Sequence, residues 1–94
     1  MIVLWSETAI QDRRDIIEYI ALNNVMAAVH MDELFEHAAT LLADHPKMGH
    51  AGLVANTLEV IPHENYRLVY ETMHDHISIL ALVHTARLWP PVNL

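Results

Sequence analysis

The chain opens on an uninterrupted apolar run, residues 1 to 5, too brief for a helix and closed by the polar Ser6-Glu7-Thr8, which predicts a strand. The period then lengthens. Ile10, Ile16, Ile17 and Ile20 recur at helical spacing, Ser6 or Thr8 can cap the start, and Glu7, Asp12 and Asp15 sit near the positive end of the helix dipole. Asn23-Asn24 closes this helix. From about residue 25 to 43, Ala28, Met31, Phe35, Ala38 and Leu42 step by three and four and form one apolar stripe, with Asp32, Glu33 and Glu36 on the other side. A two-residue hinge between helices of this length predicts an antiparallel hairpin. His45-Pro46-Lys47-Met48-Gly49 then breaks the pattern, because proline lacks the donor a helix needs and glycine admits positive φ. A loop is expected over about 45 to 56.

Beyond the loop the period falls to two. Residues 57 to 61, 66 to 72 and 77 to 83 are rich in Val, Ile, Leu and Tyr, with His63-Glu64-Asn65 and Met73-His74-Asp75 as turns. In the middle strand Tyr66, Leu68 and Tyr70 share one face, and Arg67, Val69 and Glu71 the other. Pro90-Pro91 forbids a further regular element. The predicted class is α+β: an N-terminal strand, an antiparallel helix hairpin, then a three-stranded antiparallel meander packed against the helices, in a single domain over 1–94.

Composition narrows the setting. At 94 residues, with 53% hydrophobic positions and only 2 glycines, the chain fits one ordered core. There is no cysteine, so disulfides and thiolate chemistry are excluded. The opening residues do not read as a secretory leader, and no run approaches the roughly 18 apolar residues of a membrane span; a cytoplasmic protein without a membrane association is expected. Twelve acidic side chains against five basic ones give a net charge of −7, which argues against strong nonspecific binding to nucleic acid. The 8 histidines make that charge less negative in mild acid.

Several motifs occur together and in order. Trp5-Ser6-Glu7-Thr8-Ala9 with Asp12 and Ile16-Ile17-Glu18-Tyr19-Ile20, the loop Asp44-His45-Pro46-Lys47-Met48-Gly49, the segment from Glu59-Val60-Ile61-Pro62-His63 through Asn65-Tyr66-Arg67-Leu68-Val69-Tyr70, and the ending His84-Thr85-Ala86-Arg87-Leu88-Trp89-Pro90 are all present. In this combination the chain resembles toxins of the RelE/ParE superfamily of bacterial type II toxin-antitoxin systems over nearly its whole length. The resemblance implies a toxin of a plasmid-stabilising, growth-inhibiting module, neutralised by a cognate antitoxin, as a homodimer or a toxin-antitoxin hetero-oligomer. Where that pattern carries a basic residue just before the glutamate, this chain has Leu58.

Two targets follow from the resemblance. A ParE-like toxin inhibits DNA gyrase by protein contact, without bond chemistry, and the acidic charge and the Arg-x-Trp-Pro ending favour this branch. A RelE-like toxin cleaves mRNA on the ribosome, which requires proton transfer and charge stabilisation at a phosphate. For that chemistry the candidates are Arg67, His63, His84 and Tyr66. Arg87 and Trp89, with Leu58 at the position basic in the family, are the candidates for target contact. A third class is a relic that binds antitoxin and poisons nothing. No cofactor is expected, and no metal, since His74-Asp75-His76 falls short of the four ligands of a structural site.

Overall fold

The computed structural model describes residues 1–91; residues 92–94 of the expected domain lie outside them. Strand β1 (Ile2–Trp5) leads into helix α1 (Glu7–Ala21), α2 (Val25–Asp44) follows, and then come β2 (His50–Ala51), β3 (Leu58–His63), β4 (Tyr66–Thr72) and β5 (His76–His84). Among the described residues the five strands form one sheet in the order β1-β5-β4-β3-β2, with β1 parallel to β5 and the other pairs antiparallel. The α+β class with an opening strand, a helix hairpin and a meander holds. The meander is extended on both sides.

Ser6 caps α1, its Oγ accepting from the Ala9 N–H, and Asn24 caps α2 in the same way at Ala27. The hinge is therefore residues 22–24, one longer than the pattern suggested. The stripe of α2 buries Ala28, Phe35, Ala38 and Leu42 as expected, with Ala39 beside them. On α1 the isoleucine pattern holds in part: Ile16 and Ile17 pack against the core. Ile10 is 44% exposed and the fully buried residue is Ala9, where a small side chain lets the helix approach the sheet. Arg13 ties the helices, donating to Asp32 at 2.7 Å and Glu36 at 3.1 Å while its guanidinium stacks over Trp5. Two of the three acids on the polar side of α2 are thus paired.

The core lies between hairpin and sheet, with Phe35 and Leu42 meeting Leu68, Tyr70, Ile77, Ile79 and Leu82. Ile79 and Leu82 are three apart in a strand, and simple alternation would place them on opposite faces. A register shift resolves this: Tyr70 pairs with Ile79 and Val69 with Ala81, so Leu80 has no opposite residue and both side chains face the helices. On the outer face Val69, Ala81 and Val83 are buried beneath the half-buried Trp89.

The expected loop over 45 to 56 contains a strand. His50 and Ala51 pair with Glu59 and Leu58, although both are exposed and carry no alternating pattern. Gly49 serves close approach and not positive φ: a Cβ there would lie 2.8 Å from the Glu59 carbonyl and from the Tyr70 hydroxyl. Among the described residues, Asn56, at φ 66°, is the non-glycine residue that takes the left-handed conformation. Tyr70 is fully buried, and its oxygen accepts from the Gly49 N–H at 3.0 Å.

Candidate functional site

At the end of the sheet where β4 begins and β5 ends, Tyr66 and His84 are cross-strand partners on the helix side. Tyr66 is wedged edge-on between Phe35 (ring centroids 5.7 Å apart) and His84 (5.2 Å), with the His63 ring tilted beside it at 6.3 Å. The two histidines are held by the same local device. His63 Nδ1 accepts from the Asn65 N–H and His84 Nδ1 from the Ala86 N–H, so each neutral ring carries its proton on Nε2. His63 belongs to the end of β3 and not to the turn, which consists of Glu64-Asn65 alone.

Around His84 opens a cleft of about 250 Å³ between α1 and the ends of β4 and β5; Asp12, Asp15 and Tyr19 form its helical wall and Arg87 its rim. Asp12 does more than complement a helix dipole. Strand β1 covers β5 only as far as Ile79, and beyond it the Leu82 N–H donates to Asp12 Oδ2 at 3.1 Å, so a side chain satisfies the strand edge where a strand is missing. Burial pushes the Asp12 carboxyl above its ordinary range, opposed by the Leu82 N–H and by the charge of Arg87. Burial likewise raises the Tyr66 hydroxyl, keeping it a donor.

This sign has a consequence. With its folded pKa raised, the folded protein holds the Asp12 proton more tightly than the unfolded chain, so the contribution of Asp12 to stability falls as pH rises through the range just above 3.8. Asp12→Asn keeps an acceptor for Leu82 without a charge to desolvate, and is expected to be at least as stable as wild type at pH 7. Asp12→Ala leaves the Leu82 N–H unpaired and costs about 1–2 kcal/mol. Urea midpoints of both variants check this; equal losses would show that the hydrogen bond is not what matters.

The remaining candidates lie elsewhere. Arg67 points to the outer face, where Nη1 donates to Glu59 Oε1 at 3.2 Å; Glu59 is 2% exposed, and its other oxygen accepts from the Leu53 N–H. His50 Nε2 stands 3.8 Å from the same carboxylate. Leu58 is half-buried against the helix-side core, and Trp89 packs on the outer face. The structure thus gathers His63, Tyr66, His84 and Arg87 and separates Arg67, Leu58 and Trp89 from them. Asp12, Asp15 and Tyr19 beside the cleft, and Glu59 beside Arg67, were not assigned from the sequence, although Asp12, Tyr19 and Glu59 all stand within the motifs that carry the resemblance. A larger open cavity of about 790 Å³ at the other end of the sheet is lined largely by apolar groups, among them Met1, Met48 and Met73.

A family model described as ParE toxin of type II toxin-antitoxin system, parDE, matches residues 3–89. The chain belongs to the ParE toxin family. Its fold is similar to that of a chain of the chromosomal ParDE TA system from P. aeruginosa, with a TM-score of 0.79 and 14% identity over 89% of this chain and 95% of that one. It is also similar to a YoeB/ParE toxin from Agrobacterium tumefaciens, with a TM-score of 0.63 and 14% identity over 89% of this chain and 98% of that one. No curated protein matches the sequence significantly. Membership of the ParE family makes the chain a toxin component and implies a cognate antitoxin as its partner. Among the described residues no helix is long and apolar enough to cross a membrane.

Proposed function

We propose that this ParE-family chain inhibits growth by a protein contact with DNA gyrase and performs no bond chemistry of its own. The observation that carries the reading is the placement of Arg67. Cleavage of RNA at a phosphate needs a cation beside the proton-transfer groups, yet Arg67 is paired with a buried glutamate on the face opposite His63, Tyr66 and His84. What faces those groups instead is the Asp12 and Asp15 pair, with Arg87 alone on the rim. Two carboxylates disfavour a phosphodiester. The target contact is assigned to Arg87, Trp89 and Leu58, of which Arg87 alone stands on the rim of the cleft. The same reading places the chain in the cytoplasm as a single domain over 1–94, in a plasmid-stabilising module, as a homodimer or a toxin-antitoxin hetero-oligomer.

The test is a gyrase supercoiling assay with the purified chain, run beside a ribosome-bound mRNA cleavage assay. Inhibition of supercoiling, weakened about tenfold (~1.4 kcal/mol) by Arg87→Glu, is the expected result. Message cleavage with gyrase untouched would replace the proposal with the RelE-like reading. Inactivity in both assays would leave a relic that only binds antitoxin.

A further inference from the structure

Three of the 5 methionines of the chain gather at one place. Met1 precedes β1, Met48 lies between α2 and β2, and Met73 lies in the β4–β5 turn, yet all three line the open cavity of about 790 Å³ at the end of the sheet away from His84. The main chain is held at each of them. The Met1 nitrogen donates to the Ala43 carbonyl at 2.8 Å, the Met48 N–H to that of His45 at 3.1 Å and the Met73 N–H to that of His76 at 2.8 Å. The residues are nonetheless 51%, 42% and 44% exposed, and a methionine side chain turns about three bonds. Fixed backbones thus carry sulfur atoms that can move within one cavity.

We infer that this cavity is a binding site for a soft monovalent metal ion, Cu(I), held by the thioether sulfurs of Met1, Met48 and Met73. The donors decide the class of cation. Calcium and magnesium need several oxygen ligands, and zinc needs imidazole, thiolate or carboxylate; among the described residues no group of three His, Asp or Glu side chains is placed to hold a metal ion. Thioethers are soft, uncharged donors, and they select Cu(I) over those ions. The chain has no cysteine, so no thiolate of its own competes for a soft ion. A cation also gains from the surrounding field, because the net charge is −7. On the cavity lining Asp44 and Lys47 offset each other, and His45 is the imidazole that can complete the ligand set. The site stands at the opposite end of the sheet from Arg87 and is independent of the proposed target contact.

The test uses the full chain with isotope-labelled methionine methyl groups, read by NMR and titrated in chloride-free buffer with Ag(I), a redox-inert stand-in for Cu(I) that shares its preference for sulfur. The methyl signals of Met1, Met48 and Met73 are expected to move together and to saturate at one ion per chain, while those of Met26 and Met31 stay in place. Cu(I), kept reduced by ascorbate under nitrogen, should move the same three, and Zn(II) at the same concentration none. Met48→Leu and Met73→Leu conserve volume and apolar character, so each should melt as wild type does. Each is expected to bind Ag(I) about tenfold more weakly for the loss of one soft donor, whereas Met26→Leu binds it unchanged. Silver taken up at histidines with the three methyl groups unmoved, equal shifts in all 5 methionines, the same shifts with Zn(II), no shifts with Cu(I), or unchanged affinity in both cavity variants would each overturn the inference.

Discussion

Glu59→Ala is expected to destabilise the protein by about 3 kcal/mol, the lower end of the range for breaking a buried ion pair, because Arg67 retains some contact with solvent. In a chain of this length that corresponds to a loss on the order of 15 °C in Tm. Three connections end together in this variant. Arg67, whose Nε is already buried without a partner, loses its counter-charge; the Leu53 N–H loses its acceptor; and the strap formed by β2 and its following loop loses its anchor on the outer face. Removing both charges is a different matter. Glu59→Leu with Arg67→Met leaves no isolated ion, and is expected to lie close to wild type in stability. It also separates structure from function, since a gyrase-directed toxin should keep its activity without Arg67, and an mRNA-cleaving one should not. If Glu59→Ala cost less than about 1 kcal/mol, a typical single hydrogen bond, the pair would not be holding the strap and Arg67 would be available for other work.

Phe35→Ala should cost about 4 kcal/mol, because the ring is fully buried at the centre of the helix-side core and its removal leaves a cavity that the surrounding strands cannot close. The loss extends into the cleft. Phe35 supports Tyr66 edge-on, and Tyr66 supports His84, so the imidazole should become mobile even where the variant remains folded. Thermal melts report the first effect, and the His84 ring resonances in an NMR titration report the second. Phe35→Leu, which refills most of the volume, should recover the larger part of the stability while leaving Tyr66 without its aromatic neighbour. A Phe35→Ala melt within a few degrees of wild type would show that the core relaxes around the gap.

Much of this architecture was legible because local pattern and tertiary role coincide. The stripe from Ala28 to Leu42 faces the core because nothing competes for it, and Tyr66, Leu68 and Tyr70 alternate as a half-covered strand should. What escaped the sequence depends on groups far apart in it. Nothing about Asp12 announces that it will accept from Leu82, seventy positions later. Glu59 reads as an ordinary strand glutamate until β2 covers it, and β2 itself has two exposed residues and no period to detect. Leu80 hides a register shift, since one extra residue in a strand leaves composition and alternation on either side almost unchanged. The candidate site was half visible. The motif that brought His63, Tyr66 and Arg67 together in sequence could not say that one strand sends neighbouring side chains to opposite sides of the sheet.

The pairing of β1 with β5 has a temporal side. Ile2 lies beside His76, and the strand that holds both β1 and β4 is the last of the described elements to be synthesised. Until it emerges from the ribosome, the apolar opening segment has no neighbour of its own kind in the sheet, Leu82 is not there for Asp12, and the wall that carries His84 does not exist. A nascent chain of this protein therefore cannot assemble the cleft early. Whatever depends on that cleft can begin only once β5 has been synthesised and has taken its place between β1 and β4.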